Sequence, residues 1–151
     1  MKTVKMEGPL ETAVRLLALR DHTVRELRIK LQRRNFPAQE INEAIEILLE
    51  KGYLDDEKMK MRSIEKMVME KRHGVRGITG KLKQMGLEIS SEQVREHYTV
   101  DNEWEIASQL LQKRFQTIDS DNFPRIARFL SNRGFSSVVL SRLADECRKH
   151  Q

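Results

Sequence analysis

Apolar residues recur along this chain at intervals of three and four, the spacing that lays one stripe along an α-helix; no run alternates apolar and polar as a strand would. Leu10, Ala13, Val14, Leu16 and Leu17 form the first stripe and predict a helix from about Leu10 to Arg20. Val24, Leu27 and Leu31 form the second, opened by a capping box in which Thr23 and Glu26 satisfy the free end of the helix. Asn35 falls where a left-handed residue closes that helix, and Pro37 restarts the chain in the first turn of a third. That helix carries Ile41, Ile45, Leu48 and Leu49 inward and Glu40, Glu43, Glu46 and Glu50 outward, and Gly52 ends it.

The same grammar returns. A displacement of 99 residues carries Leu27 onto Ile126, Leu31 onto Leu130, Asn35 onto Gly134, Phe36 onto Phe135 and Ile41 onto Leu140. A displacement of 51 carries Leu31 onto Leu82, Asn35 onto Gly86 and Phe36 onto Leu87, after which two extra residues move the frame to Val94. Asp55, Asp56 and Glu57 open a long helix reaching about Arg72, where their charge complements the helix dipole. The helix from Val75 to Met85 contains Gly77 and Gly80, each costing about 1 kcal/mol relative to Ala. Either another backbone comes close there or the segment is a soft joint. Ser90 and Gln93 cap a short helix through Val94 and Tyr98. Trp104, Ile106, Ala107, Leu110 and Leu111 then make one stripe. Asp119 to Asn122 cap the next helix, with Pro124 in its first turn and Ile126, Phe129 and Leu130 inward. Ser136 opens the last, with Val139, Leu140, Leu143 and Cys147 inward.

The expected fold is therefore all-α, an elongated tandem array of three three-helix repeats at residues 10–54, 55–99 and 100–151, preceded by a flexible basic arm, 1–9, with Lys2 and Lys5. Composition agrees: 38% hydrophobic but only 5% aromatic residues suit thin stacked helical units better than one large core.

Charge adds direction. The formal net charge of +5 draws the chain toward polyanions, and its distribution is uneven. Arg20, Arg25, Arg28, Lys30, Arg33 and Arg34 crowd the second helix against Asp21 and Glu26, and Lys71, Arg72, Arg76, Lys81 and Lys83 crowd the fifth with no acid between Lys71 and Met85. The third helix is acidic. Equivalent helices of stacked units lie side by side, so the basic ones would form one positive stripe suited to a long polyanion. Charges on helix faces often only meet water or pair at i,i+4, which accounts for Arg15 and Lys51 but not for one helix type keeping the positive sign. Arg binds carboxylate and phosphate alike, so the target stays open. Aromatics that would stack on bases are few, and Tyr53, Phe115 and Trp104 are assigned to the core.

No catalytic, cofactor-binding or metal site is expected. His22, His73, His97 and His150 are scattered, and the carboxylates of Asp55, Asp56 and Glu57 diverge on a helix. His73-Gly74-Val75-Arg76-Gly77 resembles a phosphate-binding turn but follows no strand, and reads as a helix break. The lone Cys147 excludes an internal disulfide and belongs to an apolar stripe. No stretch approaches the ~20 apolar residues that span a bilayer, and a cytoplasmic location follows as the expectation.

Leu19-Arg20, Thr23-x-x-Glu26-Leu27-x-x-Lys30-Leu31, Phe36, Ile41, Leu48 and Lys51-Gly52-Tyr53-Leu54-Asp55-Asp56 together resemble the first repeat of the RecX regulatory proteins. Gly74-x-x-x-Ile78-x-x-x-Leu82-x-x-x-Gly86 resembles the second repeat, and Phe129-Leu130-x-x-Arg133-Gly134-Phe135-Ser136-Ser137 the third. The resemblance implies a non-enzymatic protein acting in recombination, DNA repair and the SOS response. Such a protein binds the RecA filament in its groove and suppresses ATP hydrolysis, strand exchange and coprotease activity; some members also bind DNA. The partners expected are the RecA filament and single- or double-stranded DNA, with no membrane, and the chain is expected to act as a monomer. Candidate contacts are Arg25, Arg28, Lys30, Arg33, Arg34, Lys71, Arg72, Arg76, Lys81, Lys83, Arg125, Arg128 and Arg133. Met59-Lys60, Asn35, and Gly77, Thr79 and Gly80 depart from the family's usual residues. A free-standing helical DNA-binding module and a helical scaffold for another protein are the alternatives.

Overall fold

The computed structural model describes residues 6–149; the lysines of the expected basic arm, Lys2 and Lys5, and His150 lie outside them. Among the described residues the regular structure is helical throughout: α1 (Pro9–Leu19), α2 (Val24–Arg33), α3 (Ala38–Glu50), α4 (Asp56–Glu70), α5 (Val75–Gln84), α6 (Ser91–Arg95), α7 (Val100–Arg114), α8 (Phe123–Asn132) and α9 (Ser137–Lys149). The displacements read from the apolar pattern reappear in the helix bounds. Val24–Arg33 moved by 51 is Val75–Gln84 and moved by 99 is Phe123–Asn132, while Ala38–Glu50 moved by 99 is Ser137–Lys149. Among the described residues no helix is long and apolar enough to cross a membrane.

The chain divides into two compact units, residues 1–61 with 85–87 and residues 62–84 with 88–151. In the first, α1 and α2 both pack on α3. Ala13, Leu16, Leu27, Leu31, Ile41, Ile45, Leu48 and Leu54 make its core, flanked by Leu10, Leu17, Val24 and Phe36. The helix breaks are as the turn chemistry requires. Asn35 takes a left-handed conformation at φ 63° and Gly52 does so at φ 77°, and the Thr23–Glu26 capping box is made in both directions. Val14 and Leu49, placed inward from spacing, are exposed, because each lies at the edge of a stripe already filled by neighbours one turn away. Tyr53, assigned to the core, is 66% exposed in the turn after Gly52.

In the second unit Ile78, Leu82, Val94, Tyr98, Ala107, Leu111, Ile126, Leu130, Phe135, Val139 and Leu143 are buried, with Cys147 among them. Burial pushes the Cys147 thiol up from its ordinary value, with Asp119 and Glu146 adding to the shift. Such a thiol is a packing group rather than a nucleophile. Gly77 resolves the alternative left by the sequence: its Cα sits against the Arg133 carbonyl, and a Cβ there would collide with it, whereas Gly80 faces open space. Close backbone approach, not softness, explains the first glycine.

Candidate functional site

In the first unit the basic element is α2. Its first turn is pinned three ways: the Thr23 side chain accepts from the Glu26 amide at 3.0 Å and donates to the Met85 carbonyl at 2.6 Å, and the Val24 amide donates to Asp56 Oδ1 at 3.1 Å. Backbone hydrogen bonding to Thr23 and then the Arg20 guanidinium hold the Glu26 carboxyl below its ordinary value, outweighing the burial that would raise it. Asp56, one of the three adjacent acids considered as metal ligands, is thus a helix cap, and Asp55 caps its own helix by accepting from the Lys58 amide at 3.1 Å. Arg25, Arg33 and Arg34 are exposed, and Arg28 and Lys30 half-buried. Arg28 donates to Asn42 Oδ1, and Lys30 reaches His22 Nε2 at 2.8 Å. His22 Nδ1 lies 2.9 Å from the Arg20 carbonyl, so Nδ1 carries the proton and Nε2 accepts from the lysine. Burial first, then the charges of Arg20 and Lys30, lower the His22 pKa and keep this arrangement neutral at the ring. Glu40, Glu43, Glu46 and Glu50 are exposed on α3, so the unit presents one basic helix and one acidic helix.

In the second unit Arg76, Lys81 and Lys83 project from α5, Arg125 and Arg128 from α8, all exposed; Lys71 and Arg72 are exposed in the turn before α5, and Arg133 is half-buried at the C-terminal end of α8. Lys71 closes α4 in a left-handed conformation at φ 54°. Burial lowers the His73 pKa most, followed by Lys81 and Arg133, with Arg72 adding to the shift and Glu70 opposing it.

The start of α5 is satisfied by distant chain. The Gly74 amide donates to the Arg133 carbonyl at 3.0 Å, and the Arg76 and Gly77 amides donate to the Gly134 carbonyl at 2.9 and 3.2 Å. The glycine turn that superficially resembles a phosphate cradle therefore already has its amides filled by protein carbonyls. The Val75 amide donates to Glu103 Oε2 at 2.8 Å, and the same oxygen accepts from the Ser136 amide at 3.1 Å. Glu103 Oε1 accepts from Ser136 Oγ at 2.6 Å and from the Arg95 guanidinium at 2.8 Å. Glu103 is 0% exposed, so a buried carboxylate joins the N-terminal ends of α5 and α9 and is neutralised by one arginine. Tyr98 lies beside it, donating to the His73 carbonyl at 2.9 Å, and burial followed by the Glu103 charge raises its pKa. Nothing in the spacing of the sequence singles out Glu103, because its amide partners lie 28 and 33 residues away.

Aromatic rings accompany the arginines of α8. Phe115 and Phe129 meet edge to face with centroids 5.5 Å apart, Arg133 lies 3.8 Å over Phe129, and Arg125 lies 5.8 Å from the centre of Phe115. Phe115 and Trp104 are half-buried, neither core nor free.

None of the candidate cations is held by a carboxylate among the described residues. The ion pairs that do form include those of Arg15, Arg20, Lys60, Arg95, Arg142, Arg148 and Lys149. Pairing within helices, the ordinary fate of surface charge, leaves the basic residues of α2, α5 and α8 untouched.

The regular structure of the described residues is helical, and exposed cations gather on α2, α5 and α8. Comparison with known proteins places the chain more closely. The family model for the first three-helix domain of RecX matches residues 10–48, which hold α1 to α3 almost completely. The chain is 34% identical over 151 residues to the regulatory protein RecX of Vibrio vulnificus, covering 95% of this chain and 96% of that one. It is 30% identical over 141 residues to the regulatory protein RecX of Trichlorobacter lovleyi, covering 89% and 92%. The crystal structure of RecX from Lactobacillus salivarius superposes with a TM-score of 0.79 at 19% identity, over 93% of this chain and 94% of that one. The chain belongs to the RecX family of regulatory proteins.

Proposed function

We propose that this protein regulates the RecA recombinase by binding its filament, and that the bound chain slows ATP hydrolysis, strand exchange and coprotease activity. Membership of the RecX family and the basic character of α2, α5 and α8 support the reading. The observation that carries it is that, among the described residues, none of the candidate cations on and beside those helices is paired with a carboxylate, while Arg15, Arg20, Lys60, Arg95, Arg142, Arg148 and Lys149 elsewhere are. Arg25, Arg28, Lys30, Arg33 and Arg34 act from the first unit, and Lys71, Arg72, Arg76, Lys81, Lys83, Arg125, Arg128 and Arg133 from the second. We further propose that the helix triplets at residues 10–54, 55–99 and 100–151 are three copies of one module. Each contributes a few weak contacts, and connection in one monomeric cytoplasmic chain makes the later contacts intramolecular. A chain that engages neighbouring protomers in one filament state stabilises that state against the others, which is inhibition by differential binding.

Titrating the full chain into RecA turning over ATP on single-stranded DNA tests this directly. Progressive inhibition is expected, weakened at least about tenfold when Arg33 and Arg34 are both replaced by Glu, since reversing two contact charges adds repulsion to lost attraction. Unchanged turnover at every salt concentration removes the proposal. Direct DNA binding is the second reading, favoured by the same free arginines because they suit phosphate as well as carboxylate. It predicts a steep salt slope on naked DNA and no added affinity for a RecA-coated strand.

A further inference from the structure

Arg125, Phe129 and Arg133 follow one another at intervals of four and so share one face of α8, and Phe115, which closes α7, stands against the middle of that face. The Phe115 and Phe129 planes meet at 88°. The Arg133 guanidinium lies 3.8 Å over the Phe129 ring while one of its nitrogens donates to the Phe129 carbonyl at 3.4 Å, and Arg125 sits 5.8 Å over Phe115. The four side chains alternate cation, ring, ring, cation.

We infer that Phe129 and Phe115 are positioning residues: they hold the guanidiniums of Arg133 and Arg125 in place for carboxylates of the protein partner. The inference rests on the RecA-binding reading and names how one part of that surface works. An arginine free in water loses much rotamer freedom when it is captured, and a guanidinium already parked on a ring has lost part of it beforehand. The carbonyl bond occupies a single N–H of the five that Arg133 carries, which leaves a planar fork free for a bidentate acceptor. Stacking of nucleic-acid bases needs an open ring face, and here each ring already has an arginine over it. The remaining stacked arginine, Arg142 at 4.7 Å from the Trp104 ring, differs in pairing with Asp101 at 3.5 Å. Among the described residues Arg125 and Arg133 have no such carboxylate, which leaves their guanidiniums open to an acceptor from a partner.

A double-mutant cycle on RecA filaments tests the assignment, with affinity measured for the full chain, Phe129→Leu, Arg133→Ala, the double variant and Phe129→Tyr. Loss of the ring is expected to weaken binding about threefold to tenfold in the wild-type background. In the Arg133→Ala background the same change should add less than about twofold, because a residue acting only through its partner has nothing left to act on. Phe129→Tyr, which keeps the ring, should restore binding. Additive losses, or a Phe129→Leu protein that binds as wild type, overturn the inference. Should Phe129→Leu fail to fold, the Arg133 Nε–H resonance of the wild-type protein decides: a ring-current shift upfield supports the stacked geometry, and a random-coil position overturns it. Equal losses on naked single-stranded DNA would make phosphate the target and overturn the carboxylate assignment. Absence of wild-type binding to RecA removes the underlying reading, whereas binding with an additive cycle removes only this one.

Discussion

Helices α2 and α5 are built alike and held differently. Each is ten residues long, each carries an excess of cations, and each ends at a left-handed residue, Asn35 or Gly86, in the same register. The start of α2 is closed mainly by its own neighbours, through the reciprocal bonds of Thr23 and Glu26. The start of α5 has no such box and is closed by the Arg133 and Gly134 carbonyls and by Glu103. A helix with local caps keeps its end structure wherever it is placed. One with borrowed caps is tied to the elements that lend them, and its exposed cations are only as well placed as that docking allows.

Replacing Glu103 by Ala should break the contrast most severely. It strands Arg95 and leaves the Val75 and Ser136 amides without their acceptor, so a loss of about 3–5 kcal/mol is expected. Urea unfolding followed by the fluorescence of Trp104, the single tryptophan, reads this; a midpoint near wild type would show that the carboxylate is not what ties α5 down. Gly134→Ala comes next. Gly134 stands at φ 73° with the Gly77 amide where a Cβ would go, so strain and overpacking together should cost about 2–4 kcal/mol. Thermal unfolding that leaves this variant within experimental error of wild type would argue that α5 has another way to dock.

Thr23→Ala addresses the locally capped helix and should be milder, about 1–2 kcal/mol, with Thr23→Ser recovering most of it. A larger loss than that from Glu103→Ala would reverse the comparison. Asn35 offers the smallest mutational change. Glycine in its left-handed position should stabilise by about 0.5 kcal/mol and alanine destabilise by about 1 kcal/mol, measurable as opposite shifts of Tm.

Acid sharpens the same contrast without mutation. The folded-state pKa of His22 lies below its ordinary value of 6.5, so the unfolded chain binds the proton more readily. The corresponding stability is fully present above 6.5 and falls away as pH drops through the folded-state value, where a protonated ring would face Lys30. His73 shifts the same way. Unfolding free energies measured from pH 7 downward should therefore decline, and His22→Gln should flatten the part due to the first unit; an unaltered slope in that variant would mean that the ring does not titrate against folding.

The legibility of this chain follows the distance over which each feature is made. Helix positions, the Thr23 and Ser90 capping boxes and the closures at Asn35, Gly52, Gly86 and Gly134 were readable, because each depends on residues within about a turn of one another. Stripe edges are less legible: Val14 and Leu49 share the periodicity but fall outside the faces that α1 and α3 bury. Lys71 could not be anticipated, since its side chain gives no local reason for a left-handed backbone. The candidate cations were legible as a charge pattern, while the rings that hold Arg125 and Arg133 were not, as Phe115 and Phe129 read equally well as core.

By itself, then, the order of residues determined an all-helical chain, its repeated register and the sign of charge on each helix, all products of short-range periodicity and hydrogen bonding. Tertiary structure alone decided that a carboxylate with no distinguishing neighbours would become the buried joint of the second unit. It decided likewise which arginines would be held and which left free. The first of these outcomes depends on groups some 30 residues apart meeting in a space that excludes water, where an unpaired charge or amide is costly, and no local pattern encodes such a meeting.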